Sequence, residues 1–452
     1  MDSQPSPATS STSLLARFVS WNVLGTGASL MVGFVASVFL ARLLGPVGRG
    51  LLAVMLAAGT LTLVATAGGL PVSVVYFAAR RDREGPAILG NCLLHALVLV
   101  AILVPATLLL QHPLADALGH GRGGRTWVLA ALLVPITFLD WTTASQLQGT
   151  LQFGRFNVLL VLQKAAYALG ILILLGVLSL GVASGLLATA VGSAVMIGGS
   201  MIAILRVGPL RLDFALMKEM LTYGARAQVG SILQIANGRL DVIILGLYRP
   251  ISEVGYYVVA QTIAELVIQL ANTFQWSNMA LTSRIGADAP QASTSAVAIR
   301  HLTLISGAAA IFNAGFGSLV ILFAYGKAFH PAVIPMLILL PGVWLLAIAV
   351  VIQGDLGGRG RPGLASILVA VAAGVTVVLD LALIPPFGVY GAAIASVCAY
   401  VTLGISSLVT LRRVSGIPLR ELVVPTVADI RLSVGFARRA LSRLRSSAGD
   451  AA

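Results

Sequence analysis

Charge is scarce in this chain: Asp, Glu, Lys and Arg make up 10% of its 452 residues, against 58% hydrophobic, and mean hydropathy is +0.96. Such a balance lies outside the range of soluble globular domains and marks a polytopic membrane protein. Cysteine is nearly absent. The two present, Cys92 and Cys398, both fall in apolar runs, which excludes a disulfide framework and reads as small core residues. The five histidines (His95, His112, His120, His301 and His330) show no metal-ligand spacing. No nucleophile triad, Walker loop or pair of catalytic carboxylates can be argued, so neither an enzyme nor a metal or other cofactor is expected. Without a nucleotide site, any transport would draw on an ion gradient, the membrane potential or the gradient of the substrate itself. Period-two alternation is also missing, which excludes a barrel and leaves helices.

What the chain does have is apolar length. Runs of about 20 or more residues, each enough to cross about 30 Å of hydrocarbon, predict an all-α protein with about 12 transmembrane helices. They cover residues 17–41, 51–79, 87–111, 127–149, 156–180 and 182–205, then 222–247, 254–281, 299–325, 332–353, 363–384 and 388–411. Residues 1–16, Ser/Pro/Thr-rich and without the features of a signal peptide, are expected as a disordered cytoplasmic tail. Net charge is +13. With the N-terminus inside, most Lys and Arg fall in cytoplasmic segments, so both termini are expected in the cytoplasm by the positive-inside rule. No soluble basic domain carries this charge towards nucleic acid. Membrane lipids are the expected partner. Residues 414–452 read as a basic amphipathic cytoplasmic tail, in which Ile430, Val434, Ala437, Leu441 and Leu444 form an apolar stripe beside Arg431, Arg438 and Arg445.

The sequence repeats itself. "LQGTLQFGRF" returns as "IQGDLGGRGR", pairing Gln148 and Gly149 with Gln353 and Gly354. "LLGPVGRGLLAV" corresponds to "LYRPISEVGYYVV", with Gly50 matching Gly255, and "LGVASGLLATAVGSA" to "FGVYGAAIASVCAYV". All three give an offset of about 205 residues, the signature of internal duplication in transporter folds. The expected organisation is two six-helix lobes, 17–205 and 222–413, of parallel topology, joined by a cytoplasmic linker at 206–221 that reads as a basic amphipathic helix.

Polar residues inside the spans mark candidate sites, because an ionisable group in hydrocarbon is costly. In "NGRLDVIILG", Arg239 and Asp241 stand two positions apart, which on a continuous helix sends them to nearly opposite faces. Gln234, Asn237 and Asp241 then share one face. In the next span Gln261, Glu265, Gln269, Asn272 and Trp276 recur at helical spacing as a polar stripe. Glu265 is expected at a depth near Arg239, either bridging to it or lining a wet cavity. In the first half Asp140 and Lys164 are expected to pair across a hairpin, while Arg226 and Asp380 lie near span ends and are expected to snorkel. Trp141, Gln146, Gln148, Gln163 and Tyr167 suit sugar hydroxyls and ring faces, and equally bond helix to helix in any bundle.

Three stretches, "ARLLGPVGRGLLAV", "RLDVIILGLYRPISEVGYYVVAQ" and "GVYGAAIASVCAYV", resemble the polysaccharide-biosynthesis flippases of the MATE-like MOP superfamily, which include O-antigen-type oligosaccharide flippases. The resemblance spans residues 14–413 and rests mostly on Gly, Pro and apolar positions. It implies two six-helix lobes that alternate between inward-open and outward-open states. The implied cargo is a polyprenyl-diphosphate-linked oligosaccharide, moved from the cytoplasmic to the external leaflet of a bacterial plasma membrane. A polysaccharide polymerase or glycosyltransferases would be partners. Two features depart from the pattern: many relatives have 14 spans, and the arginine-lined cavity of lipid II flippases has no counterpart where Lys164, Arg226 and Arg239 face Asp140, Asp241, Glu265 and Asp380. Phosphate contact is therefore sought at the mouths, from Arg17, Arg42, Arg49 or Arg80. The alternatives are a MATE-type exporter of cationic drugs using Asp140, Asp241 and Glu265, against which the first span holds no acid, and a non-transporting scaffold of glycan-assembly enzymes.

Overall fold

The computed structural model describes residues 7–80, 84–269, 271–272, 274–275 and 292–423. Among these the regular structure is helical, with no strand: α1 (Pro7–Thr66), α2 (Leu70–Arg80), α3 (Gly85–Gly119), α4 (Thr126–Gly149), α5 (Phe153–Ile171), α6 (Val182–Leu205), α7 (Phe214–Asn237), α8 (Leu240–Tyr248), α9 (Ile251–Ala264), α10 (Ala292–Leu319), α11 (Val333–Gly358), α12 (Pro362–Ser415) and α13 (Leu419–Val423). Nine helical stretches among the described residues are long and apolar enough to cross a membrane. The twelve expected segments differ in count because two helices each carry two of them and the segment 222–247 is divided between α7 and α8. The chain kinks inside α1 at Gly45 (φ 67°), just before Pro46, and inside α12 at Gly388 (φ 57°), just after Pro385 and Pro386. Proline withholds a helix hydrogen bond, and glycine accepts the positive φ that the bend requires.

The matched repeats do matched work. Gly181 at the start of α6 has φ 58° and ψ −135°, and Gly388, its partner in the repeat, has φ 57° and ψ −133°. Gly149 brings the end of α4 onto the Val75 carbonyl, while Gly354 brings α11 onto the backbone of Gln275.

The chain divides into two compact units, the first containing the described residues to Val258 with Ala324–Ala328, the second Val259–Phe323 and the residues from Phe329 onward. The expected lobe boundaries at 205 and 222 follow the repeat. The compact units follow packing, and they keep α7, α8 and the first turns of α9 with α1–α6. In the first unit, Leu63, Leu70, Phe77, Ile88, Phe138 and Met220 join α1, α2, α3, α4 and α7 in one apolar core. Gly170 against Ala188 and Gly192 against the Gln163 backbone bring α5 and α6 together, as small residues do between membrane helices.

The amphipathic helix expected over 206–221 begins only at Phe214, and residues 209–213 form neither helix nor strand. Asn91 explains this. Its Nδ2 donates to the Asp213 carbonyl oxygen at 2.8 Å, its Oδ1 accepts from the Asp213 N–H at 3.2 Å, and the Asp213 carboxylate accepts from the Leu216 N–H at 2.9 Å, holding this stretch on α3 and starting α7.

In the second unit, Ile299, Leu302, Ile348, Val351, Ile352 and Leu411 bring α10, α11 and α12 together. Trp344 Nε1 donates to the Thr303 carbonyl at 3.1 Å, and Asn313 Nδ2 donates to the Ile263 carbonyl at 2.7 Å. Arg300 ties α13 to α10 by donating to the Glu421 carbonyl at 2.6 Å. Asp380, expected to snorkel, is instead fully buried, whereas Arg226 is exposed. Cys92 and Cys398 are free thiols inside apolar helices. The expected amphipathic tail helix over 430–445 lies outside the described residues, as does Trp276.

Candidate functional site

Within the first unit, α1 and α2 meet α7–α9 at two backbone crossings. At one, Gly50 and Gly255 leave room that no side chain could share: a methyl on Gly50 would overlap the Ile251 carbonyl oxygen, and one on Gly255 the Pro46 carbonyl oxygen. At the other, Gly69 (φ 69°) and Gly68 lie against the backbone of Gly224. At about 1.5 Å per helical residue, Gly50 and Gly69 stand roughly 28 Å apart along the chain, close to the thickness of bilayer hydrocarbon. Between the crossings Gln228 Nε2 donates to the Val64 carbonyl oxygen. Near the first, His120 Nε2 lies 3.0 Å from the Gly246 carbonyl oxygen, a bond that requires the proton on Nε2.

Beside the Gly50 crossing sits a buried cation. Arg49 is 9% exposed. Its Nη2 reaches Ser37 Oγ at 3.4 Å, and Ser37 also bonds Tyr325 OH at 3.2 Å. Its Nε has no hydrogen-bond partner and no carboxylate pairs with it among the described residues. Of the other mouth arginines, Arg42 is exposed and donates from Nε to the Ala324 carbonyl at 2.5 Å, Arg80 is exposed at the end of α2, and the side chain of Arg17 lies outside the described residues.

The span carrying Arg239 and Asp241 is not one helix. α7 ends at Asn237, and α8 begins after Gly238 and Arg239, with Arg239 (φ −138°, ψ −16°) at its N-cap. The opposite-face geometry expected for the pair therefore does not hold. Arg239 is exposed and Asn237 half-buried, while Asp241 is 1% exposed. Asp241 Oδ2 accepts from Tyr257 OH at 2.6 Å, and Oδ1 accepts from the Val242 N–H at 2.7 Å, so the carboxylate sits in the first turn of α8, where the helix dipole favours it. Tyr257→Phe would leave that oxygen without its donor inside a closed site. The expected cost is about 1–3 kcal/mol of stability, read as a lower thermal midpoint in lipid nanodiscs. An unchanged midpoint would mean that Asp241 has another donor.

The polar stripe is broken as well. The helix stops at Ala264, Glu265 forms a turn in which its carbonyl accepts from the Ile268 N–H at 2.9 Å, and helix resumes at Leu266. Gln261 is buried, whereas Glu265, Gln269 and Asn272 are half-buried, with Asn272 Nδ2 donating to Gln269 Oε1 at 3.5 Å. The side chain of Gln234 lies outside the described residues.

The expected bridge between Asp140 and Lys164 is absent. Asp140 Oδ2 accepts instead from Gln163 Nε2 at 2.7 Å and Ser193 Oγ at 2.8 Å. Lys164 follows Gln163 on α5, about 100° round the helix, so the residue that meets Asp140 is its neighbour. Trp141 packs at the edge of the core shared by α2, α3 and α4. Gln146 bonds helix to helix, with Nε2 donating to the Gly85 carbonyl at 2.9 Å. Reading the sequence missed Ser193 and Tyr257 as partners, since each stands on a different helix from the carboxylate it holds, 53 and 16 residues away.

Residues 15–281 match the family described as polysaccharide biosynthesis protein. The chain belongs to the polysaccharide biosynthesis protein family. No curated protein matches it. This member of the polysaccharide biosynthesis family has the fold of MOP-superfamily transporters. It is similar to the lipid II flippase MurJ in an inward closed conformation, with TM-score 0.71 at 17% identity, covering 88% of each chain. It is also similar to a multidrug resistance MATE family transporter in an inward-facing conformation, with TM-score 0.68 at 17% identity, covering 87% of this chain and 96% of the other. A third is a MOP-superfamily transporter from Pyrococcus furiosus, described as having a binding pocket of reverse polarity, with TM-score 0.57 at 15% identity, covering 89% and 95%. The MATE-like architecture expected for the chain is therefore found, and the chain is a multi-pass membrane protein.

Proposed function

We propose that this protein is a flippase that moves a polyprenyl-diphosphate-linked oligosaccharide, or a similar lipid-linked glycan, from the cytoplasmic to the external leaflet of a bacterial plasma membrane for cell-surface or exopolysaccharide assembly. The family match supports the glycan. The observation that carries the mechanism is the pair of glycine crossings, close to one membrane thickness apart, at Gly50 with Gly255 and at Gly69 with Gly224. At the crossings themselves backbone meets backbone, so little side-chain packing at those two points has to be remade when one parts. Parting one while the other stays shut would pass a polar headgroup across without opening a continuous pore. Both termini lie in the cytoplasm in this reading, and a polymerase or glycosyltransferases receive or supply the glycan.

A cation exporter is the second reading. It is favoured by Asp140 and Asp241, carboxylates held by neutral donors in the first unit.

The deciding experiment follows transbilayer movement of a fluorescent undecaprenyl-diphosphate sugar in proteoliposomes. Wild-type protein is expected to move it, and Glu265→Gln or Arg239→Ala to slow it about tenfold, since both charges stand where a helix is interrupted. No movement, together with drug-stimulated ion flux, would replace the flippase with the exporter.

A further inference from the structure

Beyond the Gly69 crossing, α2 and α7 diverge around a cavity of about 480 Å³. Arg80, Lys218 and Arg226 line it with Glu219 as the one acid among the lining residues, so the wall carries two net positive charges. All four of these side chains are exposed. Tyr76 from α2 and Tyr223 from α7 stack directly on each other in the wall, with ring centroids 4.3 Å apart and planes at 20°. The Arg80 guanidinium lies 4.6 Å from the Tyr76 centroid, which fixes it to the wall and leaves its N–H edges free to donate.

We propose that this cavity is the loading site for the diphosphate-sugar headgroup of a lipid-linked glycan, the diphosphate held by Arg80, Lys218 and Arg226 and the first sugar placed on the Tyr76–Tyr223 stack. The proposal rests on the flippase reading and gives it an entrance. Charge selects the occupant: a diphosphate diester carries two negative charges, which the wall matches, whereas the single phosphate of a bulk anionic phospholipid would leave one cation uncompensated. Charge-assisted bonds from arginine to phosphate are among the strong ones. The C–H groups on a sugar face suit the negative face of an aromatic ring. The volume lies within the range of ligand pockets, about 300–1,000 Å³. The position also has a consequence. The walls are the same two helices that touch at Gly69 and Gly224, and a headgroup that fits better between them when they are apart favours opening at this end.

The test uses the full chain in nanodiscs, with binding of three probes measured by native mass spectrometry: a polyprenyl-diphosphate monosaccharide, phosphatidylglycerol and a soluble nucleoside-diphosphate sugar. Arg226→Gln with Lys218→Gln is expected to weaken the first at least tenfold, Tyr223→Leu to weaken it less, and neither to change phosphatidylglycerol. All three positions are exposed, and an unchanged thermal midpoint checks the fold. Equal loss of phosphatidylglycerol would make the cavity an ordinary anionic-lipid site, and soluble sugar nucleotide bound as tightly as the lipid would make it a site for free nucleotide sugars. Either result overturns the proposal. Variants that bind like wild type, in a protein that moves the lipid across liposomes, would sink this site and spare the flippase. Binding lost in the variants of a protein that moves nothing would support the site and sink the flippase.

Discussion

Gly255→Leu is expected to reduce transbilayer movement of lipid-linked glycan at least tenfold and to leave the protein folded but open at one end. The first carbon of any side chain there falls on the Pro46 carbonyl oxygen, and a backbone atom cannot turn aside as a rotamer can. The strain vanishes once the crossing parts, so the substitution acts on the closed state and spares the open one. Moving such a balance from 99:1 to 1:99 takes about 5.5 kcal/mol, which overlap with backbone can supply. Spin labels at Val47 and Leu247, both exposed, should move apart, while labels at Ala79 and Ala215 near the other crossing should not. Gly224→Leu, against Gly68 and Gly69, should give the mirror result. Unchanged distances with movement at the wild-type rate would remove the crossings from the mechanism.

The second large effect runs in two directions at once. Arg49→Met is expected to raise the thermal midpoint and to lower movement of a diphosphate-linked substrate about tenfold. Arg49 is buried with no carboxylate partner among the described residues, and an uncompensated cation costs several kcal/mol to desolvate. Methionine keeps much of the length without the charge, so a gain of about 1 kcal/mol or more is expected. A costly cation beside a moving contact is best explained by an anion that passes it. If Arg49→Met lowers the midpoint instead, the guanidinium holds α1 together, and the argument for a phosphate contact there falls.

The helices were legible because apolar length needs no tertiary information: hydrocarbon demands it of each segment separately. The repeat was legible for a similar reason, as Gly181 and Gly388 hold a backbone angle that other residues rarely adopt. Side-chain partners were harder. The reading of Arg239 and Asp241 assumed an unbroken helix, although Asn237-Gly238 is a turn dipeptide that can be recognised in the sequence. Its apolar surroundings hid it. Asp140 was assigned to Lys164 by depth alone, and rotation of one residue round α5 gave it Gln163 instead. Arg49 stood among the arginines expected at the mouths, and nothing local in its sequence told of its burial four residues after the kink at Gly45. The cavity over Tyr76 and Tyr223 left no local trace at all, since its two halves are contributed by residues far apart in the chain.

The Gly50 crossing has the form of a handshake between identical partners. Shifted by the repeat, Ile251 stands where Pro46 does and Gly255 where Gly50 does; Gly50 rests on Ile251, and Gly255 rests on Pro46. Each half thus offers the other the same patch, which is the definition of an isologous, two-fold interface. One polypeptide has folded the dyad of a homodimer inside itself. In a true homodimer every substitution at that axis would occur twice. In this single chain it occurs once, so one half can hold a cation at Arg49 while the other holds Val254 at the equivalent place. Covalent linkage of the halves is what allows a symmetric hinge to carry an asymmetric charge.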